Sequence, residues 1–328
     1  HQLQLMSMDL NASYSLGANI DASETGAADP LISISPNFSG MWTTAGFVPV
    51  GGGSGFNGSL DGSGFTISSL SIDRPSENNI GLIGALNGAI NNVGLIGAEI
   101  SGQQNVGALV GSNFGIVSNS YAAMDVCGCG EVDGVGSVGG LVGQSLGQIS
   151  GSHSDVWVYG TGNSIGGLVG YAAAGSIGTS YASGGVLGGI GSGNVGGLIG
   201  TTGPTAAVSK SFATGEVEAD ASVGGLIGWN GGTVTDSYAT GAVAGSDLGG
   251  GLIGSNDNGA NVTNVYAAGW VACAVTGLVL EAIRLNISQP VPRGLDLAIC
   301  FCAVWLLGPL VIIGASIWLG RRRAKQNA

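Results

Sequence analysis

The feature that most constrains this chain is a short glycine–leucine block that returns at nearly constant intervals. The block reads Gly-x-Leu-(Ile/Val)-Gly, and its leucines are residues 82, 109, 141, 168, 198, 226 and 252. Successive leucines are 27, 32, 27, 30, 28 and 26 residues apart. A period of this size predicts a solenoid, in which each repeat forms one coil and neighbouring coils share a continuous core.

Two further pieces follow each leucine. A Ser-(Tyr/Phe)-Ala block or a variant of it begins at Ser120, Ser180, Ser211, Ser237 and Val265. A short valine piece comes next, as Asp125-Val126, Gly185-Val186, Glu216-Val217, Ala242-Val243 and Trp270-Val271. Three apolar pieces separated by turn residues predict three strands per coil, with leucine, aliphatic and tyrosine residues in inward rows. After Leu141 the tyrosine block is replaced by Ser154-Asp155-Val156, which we interpret as a degenerate turn.

Composition excludes the main alternatives to a solenoid. Glycine accounts for 65 of 328 residues, but there is no strict three-residue period and only 8 prolines, so collagen is excluded. A hydrophobic content of 44% is above the range of disordered chains. Glycine also interrupts nearly every segment before residue 278 that would be long enough for three helical turns. The prediction is therefore an all-β parallel β-helix of about seven or more coils.

The regions outside the repeats suggest a domain plan. Residues 1–75 do not repeat but contain strand-like segments, so we expect them to form the N-terminal cap or first coils, which cover the open edge of a solenoid. Residues 76–275 are expected to form the repeat body, and 276–296 a linker. The first residues show no signal peptide, and we expect the chain to be a processed form or a fragment of a longer protein.

The C-terminal segment has the properties of a membrane anchor. Residues 297–319 carry no charged side chain over 23 positions. As a helix this stretch would be about 34 Å long, enough to cross a hydrocarbon core of about 30 Å. Four basic residues follow in the segment 320–328, and the positive-inside rule predicts that this tail is cytoplasmic and the repeat body outside.

Charge is distributed very unevenly along the chain. The first 277 residues hold 18 acidic and 2 basic side chains, whereas the last 51 hold 2 acidic and 6 basic ones. An acidic body lacks the clustered Lys and Arg that phosphate contacts need, so nucleic acid is excluded as a partner. The asymmetry is compatible with an exposed, exported body.

The repeat blocks resemble the GLUG-motif repeats of bacterial surface proteins, especially filamentous-haemagglutinin-like adhesins. The similarity rests on the Gly-Gly-Leu-(Ile/Val)-Gly copies with a trailing Ser-Tyr-Ala-Thr-Gly, clearest at 237–241, and covers about residues 1–271. The segment 56–67 is similar to the family's Phe-x-Gly-x-Phe-Asp-Gly-x-Gly-His-x-Ile, with Phe65 in place of the histidine. The resemblance implies a right-handed β-helix on an exported adhesin and names no catalytic residue.

Peptidase chemistry has little support in the residues. Some proteins with GLUG repeats carry a zinc peptidase domain, which needs His-Glu-x-x-His, whereas this chain has only His1 and His153. A Ser-His-Asp arrangement would have to use His153 with Ser152 or Asp155. We interpret His153 instead as a surface residue in the degenerate turn.

A carbohydrate-active enzyme is the alternative, because polysaccharide lyases and hydrolases also use parallel β-helices. A lyase would need a basic side chain, and the body offers Arg74 and Lys210. A hydrolase would need paired carboxylates, available along one loop as Glu131 and Asp133, or as Glu216, Glu218 and Asp220. Residues 52–57 half-match a calcium-binding nonapeptide, without a second copy stacked on them.

These observations lead to one interpretation of function. We predict a non-enzymatic bacterial cell-surface β-solenoid, anchored by the transmembrane helix 297–319, with no catalytic, cofactor-binding or metal-binding residues and no cofactor. Its expected role is adhesion or surface interaction, with a glycan or protein of a host or neighbouring cell as partner. The alternative is a polysaccharide hydrolase or lyase on the same scaffold.

Overall fold

The backbone winds into a parallel β-solenoid. The computed structural model describes residues 2–26, 42, 44–126, 130–220, 222–245, 248–257, 259–273 and 279–280. Each coil lays its strands parallel to those of the coil before it, in four sheets that run along the molecule. The predicted all-β solenoid of about seven coils is confirmed, since the sheet that holds the glycine–leucine block has seven strands.

The sheets, named A to D, contain nine, nine, 14 and seven strands. Sheet A consists of Ser13–Ser15, Ser59–Asp61, Ala89–Asn91, Ile116–Ser118, Gln148–Ser150, Ser176–Gly178, Ala207–Ser209, Thr233–Thr235 and Asn261–Thr263. Sheet B consists of Ile20–Asp21, Thr66–Ser68, Gly94–Ile96, Tyr121–Ala123, His153–Asp155, Tyr181–Ala182, Phe212–Ala213, Tyr238–Ala239 and Tyr266–Ala267. Sheet D consists of Ile83–Leu86, Val110–Asn113, Val142–Ser145, Val169–Ala172, Ile199–Thr202, Ile227–Asn230 and Ile253–Asn256.

Sheet C receives two strands from most coils, one on each side of a bend. Its two stacks join at the long strand Glu99–Gly107, against which Ser71–Ile80 also pairs. One stack holds Glu131–Gly134, Trp157–Gly160, Val186–Gly188, Val217–Ala219, Val243–Gly245, Val271–Cys273 and the antiparallel Val279–Leu280. The other holds Ser137–Gly139, Ser164–Gly166, Asn194–Gly196, Ser222–Gly224 and Leu248–Gly250.

The number of strands per coil differs from the prediction of three. The coil that starts at Leu141 contains five, namely Val142–Ser145, Gln148–Ser150, His153–Asp155, Trp157–Gly160 and Ser164–Gly166. The two additional strands are only three residues long and lie between glycines, so the alternation of apolar residues along them is too short to be recognised. The coil therefore has a bend after almost every strand.

The longest interval between leucines comes from extra residues after Tyr121–Ala123. The strand that follows is Glu131–Gly134, and its Val132 lies in register with Val158 of the next coil. The predicted strand at Asp125-Val126 is wrong, because Val126 lies outside the strands and is fully exposed. The 32-residue interval between Leu109 and Leu141 shows that this coil is longer than the others, but it does not show whether the extra residues lengthen a strand or form an insertion between strands.

Short helical segments lie in the N-terminal part of the chain. An α-helix at Gln2–Leu5 continues into a 3₁₀ turn at Met6–Met8, and a second 3₁₀ turn spans Ser23–Thr25. Leu3 and Met6 are buried from these turns, and they belong to the same hydrophobic core as Phe47 and Phe56 of the first coils. The core is therefore covered at its N-terminal end by side chains from residues 2–26 and 44–56.

The motif leucines form the inward row that the period predicts. Leu82, Leu109, Leu141, Leu168, Leu198 and Leu226 all have exposed fractions of 0%. The backbone N–H of Leu168 donates to the carbonyl of Leu198 at 2.9 Å, and the same bond recurs between successive leucines from Leu109 to Leu252. Each coil alone could not bury its leucine, and stacking removes the whole row from water.

The second glycine of the Gly-Gly-Leu copies packs against the alanine of the Ser-(Tyr/Phe)-Ala block. A Cβ atom built on Gly197 would lie 2.2 Å from the carbonyl oxygen of Gly225 and 2.9 Å from the Cβ of Ala213. The pairs Gly167–Ala182, Gly225–Ala239 and Gly251–Ala267 repeat this contact across the interior. Both residues must therefore be small, which explains why the two blocks occur together.

Tyrosines of the motif do not point inward as predicted. In Tyr181–Ala182 and Tyr238–Ala239 the alanine is fully buried, whereas the tyrosine is only half-buried on the outer surface. Neighbouring residues of a strand point to opposite faces, and the narrow interior opposite a motif glycine accepts only a small side chain, alanine or, at Ser154, serine. The apolar inner rows consist of leucine, isoleucine, valine and alanine, whereas one inner row of sheet D also contains the buried polar residues Asn113, Ser145, Thr202 and Asn230.

The predicted membrane helix at 297–319, the basic tail at 320–328 and the predicted linker at 276–296, apart from residues 279–280, lie outside the described residues. Within the ranges that the structure describes, no helix is long and apolar enough to cross a bilayer.

The motif serines form a buried ladder at the corner between sheets A and B. The hydroxyl of Ser180 donates to the carbonyl of Gly178 at 2.9 Å and accepts the backbone N–H of Ser152 at 3.2 Å. Ser120, Ser152, Ser211 and Ser237 repeat the arrangement in their own coils. The serine thus joins one coil to the next at a bend where the ordinary strand ladder is interrupted.

We expect Ser180→Ala to destabilise the protein by about 1–3 kcal/mol, because it leaves the buried N–H of Ser152 without an acceptor. Ser154→Ala is the matched control. Ser154 occupies an inward alanine position, and its buried hydroxyl has no hydrogen-bond partner. Its removal should be neutral or stabilising by up to about 1 kcal/mol. Urea unfolding midpoints test both variants, and a loss for Ser154→Ala as large as that for Ser180→Ala would contradict the assignment.

Candidate functional site

A continuous column of aromatic rings runs along the outer surface of sheet B. It consists of Tyr121, His153, Tyr181, Phe212, Tyr238 and Tyr266. Successive ring centroids are 4.6–5.0 Å apart and the rings are parallel within 2–6°. This spacing is that of adjacent strands, about 4.8 Å, so the column follows directly from the parallel register.

Ring stacking leaves only ring edges and hydroxyl groups for contact with other molecules. At the N-terminal end of the column the ring of Tyr121 takes the place of a side chain at Gly94, whose built Cβ would lie 2.5 Å from the Tyr121 Cζ. At the other end Tyr266 is 44% exposed. The column is therefore mainly a stabilising feature of the outer wall, with its last ring open to solvent.

His153 is a member of this column and lies in a strand, so the prediction of a degenerate turn is wrong. Its ring is stacked between Tyr121 and Tyr181 at centroid distances of 4.9 and 4.6 Å. The hydroxyl of Ser152 is buried at the corner and donates to the carbonyl of Ser150 at 3.0 Å. The structure therefore does not provide the Ser-His pair that nucleophilic catalysis at this position would require.

Burial between the rings lowers the pKa of His153 below its usual 6.5, and nearby Asp155 opposes this effect in part. The folded state thus binds a proton less readily than the unfolded state. Stability contributed by neutral His153 is complete above about pH 6.5 and declines as the pH falls toward the lowered pKa.

We expect His153→Phe to reduce the loss of stability between about pH 7 and pH 5, because phenylalanine keeps the stack without a titrating group. The urea midpoint of each protein is measured across this range. Phe212→Tyr, a ring exchange in the same column, serves as the control and should leave the pH dependence unchanged. Identical pH profiles for His153→Phe and the unmodified chain would contradict this account of His153.

Candidate carboxylates from the sequence lie on the outer face of sheet C. Glu131 and Asp133 belong to one strand and both point outward. Glu216 precedes Val217–Ala219, and Glu218 lies within it with its side chain exposed. The two groups are three strands apart in the stack, which corresponds to about 14 Å. They therefore do not combine into one catalytic pair of the glycosidase type, whose carboxyl groups are about 5–10 Å apart.

Within each group, residues two apart on a strand are separated by about 7 Å. Partial desolvation raises the pKa of Glu218, and repulsion from Glu216 and Asp220 raises it further. The Glu216–Glu218 pair is the part of the predicted hydrolase site that the geometry retains.

The remaining candidates are dispersed. Arg74 donates to the carbonyl of Phe47 at 3.0 Å and to Glu77 at 2.8 Å near the N-terminal coils. Lys210 lies at the corner between sheets A and B with a φ of 51°. Among the described residues, no group of three or more His, Cys, Asp or Glu side chains could hold a metal ion.

Comparison with known proteins supports the repeat motif. A model of the GLUG motif matches residues 219–244, and the resemblance to GLUG-repeat sequences is thereby confirmed. An alignment over 117 residues, which covers 32% of the chain, is 38% identical to halomucin of Haloquadratum walsbyi, strain DSM 16790 / HBSQ001. The match spans only 1% of halomucin.

Two solved structures share the fold. One is described as an immunoglobulin A1 protease from Bacteroides ovatus, with a TM-score of 0.56, 22% identity and 75% of each chain covered. The other, an IgA1 protease, has a TM-score of 0.58 and 20% identity, and the match covers 84% of this chain but 22% of the other. The prediction of a non-enzymatic protein is wrong on this comparison, because both neighbours are described as proteases. At these identities the likeness establishes the fold of the chain.

Proposed function

We propose that this chain is the polymer-binding solenoid of an extracellular protein, and that it adheres to a carbohydrate or protein at a cell surface. The observation that carries this proposal is the repetition of outward side chains in register from coil to coil. A ligand that is itself a polymer can contact equivalent positions on several coils, so weak contacts add along its length. The halomucin match and the exposed acidic surface support an extracellular location.

The protein of which this solenoid forms a part is proposed to have peptidase activity. The support is the fold shared with the two structures described as immunoglobulin A1 proteases. In that arrangement the solenoid holds the polypeptide while catalytic groups act on it, and adhesion and cleavage use the same bound polymer. Anchoring by the helix predicted at 297–319 would keep this activity at the cell surface.

Binding and cleavage are tested separately. The full chain is applied to a glycan array and to immobilised proteins that include immunoglobulin A1, and retention on at least one polymer is expected. Absence of retention on all of them would overturn the binding proposal.

Cleavage is tested with the protein isolated from its own cells, which is incubated with the retained proteins. Mass spectrometry should find new chain termini in these proteins, and an excess of the isolated solenoid should inhibit their formation. Intact proteins would overturn the peptidase proposal.

The hydrolase alternative is favoured by one observation, the Glu216–Glu218 pair with its raised Glu218 pKa. It predicts depolymerisation of a bound polysaccharide that Glu216→Gln and Glu218→Gln each abolish. The number of reducing ends and the chromatographic size of the polysaccharide, each determined before and after incubation, measure this reaction. Unchanged polysaccharide length with the unmodified chain would overturn the alternative.

A further inference from the structure

The outer face of sheet C combines aromatic and acidic side chains in one patch. We call it the acidic–aromatic face and define it by Glu131, Asp133, Trp157, Tyr159, Leu187, Glu216 and Glu218. Strand register places Glu131 next to Trp157 and Asp133 next to Tyr159. Leu187 follows Tyr159 in the next coil, and Glu218 follows Leu187. Residues up to 87 positions apart in the chain are therefore neighbours along one surface.

The centre of the face is an aromatic platform. The six-membered ring of Trp157 takes the place of a side chain at Gly185, since a Cβ built there would lie 2.1 Å from Cζ3 of Trp157. Tyr159 lies two residues further along the same strand, and its hydroxyl is 2.8 Å from a Cβ built on Gly189. Both side chains are half-buried and retain exposed surface. Glycine in the neighbouring coil thus leaves room for the two rings to lie across the sheet.

Carboxylates flank this platform on both sides. Glu131 and Asp133 lie in the coil before Trp157, and Glu216 and Glu218 lie two coils after it. None of the outward positions on this part of the sheet, from Glu99 to Ala244, is a lysine or arginine. The two groups together contribute four formal negative charges over about 14 Å. The negative charge of this surface attracts cationic groups, and the rings of Trp157 and Tyr159 lie between the two pairs of carboxylates, where they can contact such a group.

We infer that the acidic–aromatic face binds an extended, arginine- or lysine-rich polypeptide that runs along the solenoid axis. The inference rests on the proposed polymer-binding function and names the ligand of one face. An extended peptide advances about 3.4 Å per residue, so basic residues four positions apart match the distance between the two acidic groups. A basic residue midway between them would contact Trp157 and Tyr159 through cation–π interaction, while Leu187 packs against the aliphatic stem.

The test uses the full chain and a fluorescent peptide that contains Arg-Ser-Arg-Ser-Arg, with Gln-Ser-Gln-Ser-Gln as its neutral counterpart. Fluorescence anisotropy should show binding of the arginine peptide only, weakening as salt is added because the contacts are electrostatic. The double variant Glu216→Gln/Glu218→Gln should weaken binding by about tenfold, since it removes two charge pairs. Trp157→Ala should weaken it by about fivefold.

Asp236→Asn removes one charge at the corner between sheets A and B and serves as the control, with binding expected within about twofold of the unmodified chain. Circular dichroism and the urea midpoint establish that each variant is folded. Arginine peptide binding that the sheet C variants leave unchanged would overturn the inference, and so would no binding at all. A chitosan oligosaccharide that binds in place of the peptide would overturn the polypeptide assignment yet leave the polymer-binding proposal intact.

Discussion

Replacing Gly197 with alanine is expected to destabilise the solenoid by about 3 kcal/mol or more. The added Cβ would lie 2.2 Å from the carbonyl oxygen of Gly225, which is backbone and cannot rotate away. Relief would require moving apart two coils that are joined through hydrogen bonds such as Gly197 N–H to Gly224 O at 3.1 Å. The urea midpoint measures the loss.

Gly17→Ala is the matched control for this substitution. No atom lies within 4 Å of a Cβ built on Gly17, so the same change should alter stability by less than about 0.5 kcal/mol. Equal midpoints for the two variants would show that the motif glycine is not required for close packing of the coils, and the account of the motif would then be incorrect.

Replacing Leu168 with alanine should cost about 3 kcal/mol, because it opens a cavity in the middle of the leucine row. Leu168 is completely buried, and its backbone is bonded to Leu141 on one side and Leu198 on the other. Coils on both sides of the cavity share its wall, so relaxation of one coil is limited by the next. Chemical unfolding followed by circular dichroism gives the change in free energy.

Leu146→Ala provides the comparison within the same repeat array. Leu146 is 39% exposed at the corner after Val142–Ser145, so its truncation should cost less than about 1 kcal/mol. If both leucine variants lose the same stability, the distinction between inward motif leucines and corner leucines fails.

The period of the motif leucines was sufficient to predict a stacked parallel solenoid, because the same interval relates residues such as Leu168 and Leu198 all along the body. It was not sufficient to assign the faces of every strand. Tyr181 was expected inside because its block recurs with the same period as the leucines, yet the interior opposite Gly167 accepts only a side chain as small as that of Ala182. The signal that could have corrected this was the pairing of a glycine in one block with an alanine in the other.

Site prediction was limited for a related reason. Glu216 and Glu218 were recognised as a carboxylate pair, but Trp157 and Tyr159 were not connected with them, since the residues belong to different coils. Alignment of Val158, Val186 and Val217 as one inward row would have brought the four side chains to a common face. His153 was missed in the aromatic column because histidine replaces the tyrosine in its coil.

The central claim, that coils stack in the register described, is tested most directly by disulfide cross-linking on sheet A. Ser209 and Thr235 are register partners on adjacent strands, whereas Ala207 and Thr235 are offset by two residues. In a chain whose native cysteines are replaced by serine, Ser209→Cys/Thr235→Cys should form a disulfide under mild oxidation, detected by mass spectrometry of the digested protein. Ala207→Cys/Thr235→Cys should not, since its Cα atoms would be about 8 Å apart. Cross-linking of the offset pair in preference to the register pair would contradict the structure and the surfaces derived from it.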